Sequence, residues 1–109
     1  MPREKRGGGL SGGNPPGVHS ALLEDYGRHL SFERSLSRNT CASYTGDIAA
    51  FLAHCAKSGL PPDKAQPQDL DSYLWRIKRA SGLGPASLFR KMESLRSFYK
   101  FLAAEGRLK

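Results

Sequence analysis

Residues 37–59 read SRNTCASYTGDIAAFLAHCAKSG. Within them Cys41, Tyr44, Ile48, Phe51, Leu52 and Cys55 recur at three- and four-residue spacing, which draws one apolar stripe on a helix turning 100° per residue. Ser37 stands where a helix start wants a side chain that accepts a backbone N–H, and Gly59 where a helix end wants a left-handed residue. The stretch predicts a helix over Arg38–Ser58 whose stripe other helices must cover. Towards the N-terminus, Leu22, Leu23, Tyr26, Leu30 and Phe32 carry the same periodicity and predict a helix from about Val18 to Glu33. Towards the C-terminus, Pro61-Pro62 predicts an extended connection. Pro67 opens a third helix with Asp69 in its positive first turn and Leu70, Tyr73, Leu74 and Ile77 as its buried stripe. After Gly82-Leu83-Gly84, Pro85 opens a fourth that runs to Glu105 and stops at Gly106, with Leu88, Met92, Leu95, Tyr99 and Leu102 as its stripe, widened by Phe98. Trp75 and Phe101 fall off these stripes; packing of Trp75 against a neighbouring helix is expected, with an interaction surface as the other reading. Val18 is the sole valine and no period-2 alternation occurs, so the fold class is all-α, a compact four-helix bundle.

At 109 residues the chain has room for one domain, and its 17 Lys and Arg against 10 Asp and Glu give a net charge of +7. No stretch reaches the roughly 18–20 apolar residues of a membrane span, and residues 1–17 lack the apolar core of a signal peptide. Those first residues hold six Gly and three Pro. They predict a flexible basic tail, able to touch phosphates, ahead of a domain over 18–109. Gly7, Gly9 and Gly12 formally satisfy a dinucleotide-binding spacing, without the preceding strand that would give it meaning. On one helix Cys41 and Cys55 would lie about 21 Å apart, too far for a disulfide. Neither Cys-x-x-Cys nor a Cys/His ligand spacing is present, so no metal and no cofactor is expected, and both thiols read as buried and reduced in a cytoplasmic protein.

The charge is uneven. Residues 76–109 hold nine bases and two acids, whereas 18–58 balance. Such a local field suits a polyanion such as nucleic acid; a solvated basic face is the other reading. With Leu88 as reference, Arg90, Ser94 and Ser97 are expected to point away from the fourth helix's apolar stripe, flanked by Ser87 and Lys91 on one side and by Arg96 and Lys100 on the other. Long cations among small hydroxyls reach phosphates or guanine edges while the backbone approaches closely. The second helix opens with Ser37-Arg38-Asn39-Thr40, with Ser43 one turn on, at the end of a helix that attracts phosphate. Against this, Ser37 and Thr40 serve equally well as caps, and Arg90–Glu93 as a surface i,i+3 pair.

Three stretches, HLSFERSLSRNTCASYTGDIAAFLAHC (29–55), DLDSYLWRI (69–77) and GLGPASLFRKMESLRSFYKFLAAEG (82–106), together resemble the N-terminal SAM-like, core-binding domain of tyrosine recombinases, the phage-integrase and Xer family. One family motif is met by Glu33-Arg34, Leu36-Ser37, Asn39-Thr40, Ser43-Tyr44 and Asp47-Ile48. Another is met by Ser87, Arg90, Met92, Leu95 to Tyr99, Phe101-Leu102 and Glu105-Gly106. Gly84 departs from the pattern, for relatives usually carry a Ser or Thr cap there.

The resemblance implies a four-helix domain that covers one face of duplex DNA opposite a larger C-terminal catalytic domain, the two closing as a clamp. In the family the starts of the second and fourth helices enter the major groove. Carried over by position, the DNA-binding residues are Arg38, Asn39, Thr40 and Ser43, then Ser87, Arg90, Lys91 and Ser94, with Arg96 on phosphate or structural. Tyr44 and Tyr99 sit on apolar stripes and are assigned to the core. The family's chemistry, a tyrosine nucleophile aided by two Arg, a Lys and His/Trp residues, belongs to the catalytic domain. Here none of His19, His29 or His54 has Arg three positions later, so no catalytic residue is expected and the chain reads as an inactive piece of a longer recombinase. The implied partners are double-stranded DNA, the catalytic domain and other protomers in a tetramer, without a membrane. Replacement of Arg90 and Lys91 by Ala is expected to weaken DNA binding and leave thermal stability nearly intact. Two other classes stay open. One is a helical protein-interaction module using Trp75 and Phe101; the other is a helix-turn-helix regulator, whose 3–4-residue turn the connections 59–66 and 81–84 fit poorly.

Overall fold

The computed structural model describes residues 18–108, so the tail expected over 1–17 lies outside the described residues. α1 covers Val18–Arg28 and passes without a break into a widened π-helical turn over His29–Glu33, closed by the Arg34 N–H donating to the His29 carbonyl at 3.1 Å. The extra residue in that turn keeps Leu30 in the core but swings Phe32 out to 77% exposure, which corrects its place on the apolar stripe. α2 covers Arg38–Ser58, with the Thr40 N–H donating to Ser37 Oγ at 3.2 Å, as the expected cap requires. Gly59 (φ 69°) ends it in the left-handed conformation that glycine adopts without a Cβ clash. Pro61 is extended as expected, but Pro62–Lys64 then form one 3₁₀ turn rather than continued extended chain.

α3, Pro67–Ser81, is opened by the Asp69 carboxylate accepting the Gln66 N–H at 2.8 Å. α4, Pro85–Ala104, starts from Gly84 with no side-chain cap. The described residues therefore form a four-helix, all-α unit, and among them no helix is long and apolar enough to cross a membrane.

α4 packs against α2 and α3, and α1 against α2. The shared core joins Tyr26 and Leu30 of α1, Ile48, Phe51, Leu52 and Cys55 of α2, Tyr73 of α3, and Leu95, Phe98, Phe101 and Leu102 of α4. Edge-to-face contacts link Phe98 to Tyr26 (centroids 5.3 Å apart) and Phe51 to Tyr73 (5.2 Å). Tyr44 and Tyr99 are half-buried against this core, where the sequence assigned them.

The face that α4 buries keeps Leu95, Phe98 and Leu102 of the expected stripe but is turned away from Met92. It is centred on Phe98 and takes in Ser94, Ser97 and Phe101, while Met92 stays 38% exposed. Ser94 and Ser97, expected to point to solvent, are buried, and Phe101, expected off the stripe, is 3% exposed. Small side chains face the core here because neighbouring helices come close and supply partners for the hydroxyls. Tyr26 donates to Ser97 Oγ at 3.0 Å, and burial pushes the Tyr26 phenol up to about 12 against that bond. Trp75, expected against a neighbouring helix, is 57% exposed with Lys78 Nζ 4.9 Å above its ring. Both cysteines are free; Cys55 is buried, which pushes its thiol up to about 12, whereas Cys41 is only half-buried.

Replacing Phe98 by Ala is expected to cost about 3–5 kcal/mol in chemical denaturation. The same change at exposed Phe89, nine positions earlier on the same helix, should cost about 0.5 kcal/mol or less.

Candidate nucleic-acid interface

Asp47 lies in the middle of α2, between the core residues Tyr44 and Ile48, and is 8% exposed. A carboxylate taken out of water there needs cations and donors around it. α4 supplies them. Arg90 donates through Nε to Oδ2 (3.0 Å) and through Nη2 to Oδ1 (2.8 Å), Lys91 Nζ reaches Oδ1 at 2.9 Å, and Ser94 Oγ donates to Oδ2 at 2.7 Å. Burial alone would push the Asp47 carboxyl up; the bonds from Arg90, Lys91 and Ser94 outweigh it and hold the group below its ordinary value. The same contact raises the Arg90 guanidinium further above its already high value, chiefly through the hydrogen bond to Asp47.

This cluster fixes how the middle of α2 stands to the N-terminal half of α4. Thr40, Ser43 and Asp47 are spaced three and four apart and share one face of α2; Ser87, Arg90, Lys91 and Ser94 share one face of α4 by the same rule. With Asp47 bound to Arg90, Lys91 and Ser94, the two faces meet. Arg38 and Asn39 are exposed at the first turn of α2, and Ser87 is exposed at that of α4. Ser94 is brought to the cluster but fully buried, so it stands beneath the surface. Arg96 is not brought there: it is exposed, pairs with Glu93 at 3.0 Å, and borders the groove between α3 and α4 with Asp71, Leu74 and Met92. Elsewhere Arg107 pairs with Asp25 at 2.6 Å, and Arg28 pairs with the same carboxylate.

The family model described as phage integrase, N-terminal SAM-like domain, matches residues 23–106. The chain belongs to this family. It is 42% identical over 82 residues to the tyrosine recombinase XerC of Methylobacterium sp. (strain 4-46), 71% of this chain and 25% of that protein. It is 36% identical over 83 residues to the tyrosine recombinase XerD of Chlorobaculum tepidum, 76% of this chain and 27% of that protein. To the XerD of Agrobacterium fabrum it is 35% identical over 97 residues, 89% of this chain and 29% of that protein. The chain thus spans between a quarter and a third of the length of these relatives, as an N-terminal domain of Xer-type tyrosine recombinases. No solved structure matches it. The link between α3 and α4 is Gly82–Gly84, three residues, so its length fits a helix-turn-helix better than expected; family membership, not link length, decides against that class.

Asp47 is the residue that sequence reasoning missed, for it appeared only as a motif position. A lone acid inside the apolar stripe of a helix was the available signal, because it obliges cations to come from another element. The cluster also corrects the expectation that Arg90 and Lys91 can both be removed at little cost, since that would strand a buried carboxylate. Conversely, Asp47→Asn should cost about 2 kcal/mol, below the roughly 3–5 kcal/mol of a fully buried pair, because Arg90 and Lys91 retain access to water. With its carboxyl held low in the folded state, Asp47 contributes stability that is present above the unfolded value of about 3.9 and fades as pH falls through the folded value. The acid limb of a stability–pH curve should therefore be shallower in Asp47→Asn than in the parent, checked by urea titration between about pH 2 and 6.

Proposed function

We propose that this domain binds duplex DNA with the joined openings of α2 and α4 and cuts nothing by itself. The contact surface is Arg38, Asn39, Thr40 and Ser43 with Ser87, Arg90 and Lys91; Ser94 supports it from below, and Arg96 reaches phosphate only at its margin. The observation that carries this reading is the Asp47 cluster, which joins a hydroxyl-lined face of α2 to a cationic face of α4. Arg90 and Lys91 use part of their N–H groups on Asp47, and the Arg90 side chain keeps 44% of its surface in solvent, where remaining donors can meet phosphate or a guanine edge. The exposed first turn of α2 adds free backbone N–H groups and the positive end of the helix dipole. The basic excess of residues 76–109 supplies the long-range attraction.

The relatives are named tyrosine recombinases. In the same reading, the parent of this domain cuts and rejoins DNA through a phosphotyrosine intermediate formed by a C-terminal catalytic domain, working with other protomers on cytoplasmic DNA. A second reading, a protein-interaction module, is favoured by the exposure of Trp75 beside Leu88 and Met92. Its other expected member, Phe101, is buried and drops out.

Fluorescence anisotropy with a labelled duplex separates the two. Binding is expected near the nonspecific range of about 10⁻⁴–10⁻⁶ M at physiological salt, falling steeply as salt rises. Arg38→Ala should lower affinity and reduce the salt slope by about 1, with a change in stability within about 0.5 kcal/mol. Binding indifferent to salt and to Arg38 would overturn the DNA reading.

A further inference from the structure

An acid beside the cations of a DNA-binding face is at first sight a handicap, since it repels phosphate and cancels positive charge. The geometry here gives it a different part. Arg90 is held in a two-point fork, Nε to one Asp47 oxygen and Nη2 to the other, which fixes the plane of the guanidinium and turns its unused edge away from α2. Lys91 is held on the same carboxylate. Asp47 is itself fixed from below by Ser94, whose hydroxyl is fully buried and donates to Oδ2 at 2.7 Å. The Arg90 carbonyl lies 3.1 Å from the same hydroxyl and at most shares its single proton with the nearer carboxylate. Long side chains otherwise lose rotamer freedom on binding, and a side chain already held in place loses less.

We propose that Asp47, seated by Ser94, is a positioning residue that aims Arg90 and Lys91 at the phosphate backbone of duplex DNA. The proposal rests on the DNA-binding reading above. It differs from it in sign: by charge alone, removing Asp47 tightens binding, whereas by positioning it weakens binding.

The test is anisotropy titration of a duplex at fixed salt, at a temperature where circular dichroism shows every variant folded. Asp47→Asn is expected to bind about 3–10-fold more weakly although it loses one negative charge. Ser94→Ala, which alters no charge and no exposed surface, is expected to lose about 3-fold, and carries the test if Asp47→Asn does not fold. In an Arg90→Ala background, Ser94→Ala should cost less than in the parent, because one of the two side chains it helps to aim is gone; a merely structural role would produce the same loss in both backgrounds. Tighter binding by Asp47→Asn, unchanged binding by Ser94→Ala, or an equal loss in both backgrounds overturns the positioning role and leaves DNA binding standing. Absence of salt-dependent binding by the parent domain overturns both.

Discussion

One buried carboxylate governs how this domain is put together. Asp47 lies among side chains that exclude water, and an ion in that position is tolerated only when its lone pairs are filled by charged donors at good geometry. Two charged donors and one hydroxyl come from a single segment of α4, Arg90 to Ser94, so that segment can lie only against the middle of α2. Hydrophobic contact between the helices, nondirectional as it is, would accept several registers. The ionic cluster accepts one.

Two further polar ties act in the same way at other places. Tyr26 donates to Ser97 and so sets α1 against α4, and Tyr99 donates to the Pro62 carbonyl at 2.6 Å, holding the 3₁₀ turn to the far end of α4. Each joins residues distant in sequence, and each lets a phenol keep its proton while its ring fills the core. α4 is the common partner in all three ties, with the core aromatics Phe98 and Phe101 on the same face. It is the central beam of the fold, and its exposed N-terminal turn is the part proposed to meet DNA.

The fold was legible to a considerable depth in the chain itself. Ser37, Gly59, Pro67, Gly82 and Pro85 mark helix ends because caps, prolines and left-handed glycines act within one turn, and local effects survive whatever the rest of the molecule does. The bounds of α2 follow from them alone. The exposed side of α4 was less legible. The buried face shares Leu95, Phe98 and Leu102 with the stripe drawn through its apolar residues but extends past it, because two serines there are enclosed by close packing and satisfied by Asp47 and Tyr26. Hydropathy ranks a serine as a surface residue; only a partner on another helix makes it an interior one. Phe32 failed in the opposite direction, turned outward by a widened turn that no spacing rule anticipates.

For the candidate interface, the residue types and their place at two helix starts were available from the sequence, as was the family resemblance that joined them. That Asp47 gathers Arg90, Lys91 and buried Ser94, and that Arg96 borders a different groove, required the tertiary structure. The division has a physical cause. Helix formation and capping depend on neighbours within a few residues, so linear spacing encodes them. The meeting of Asp47 with Arg90 spans 43 positions, and its geometry depends on the packing of every helix between them.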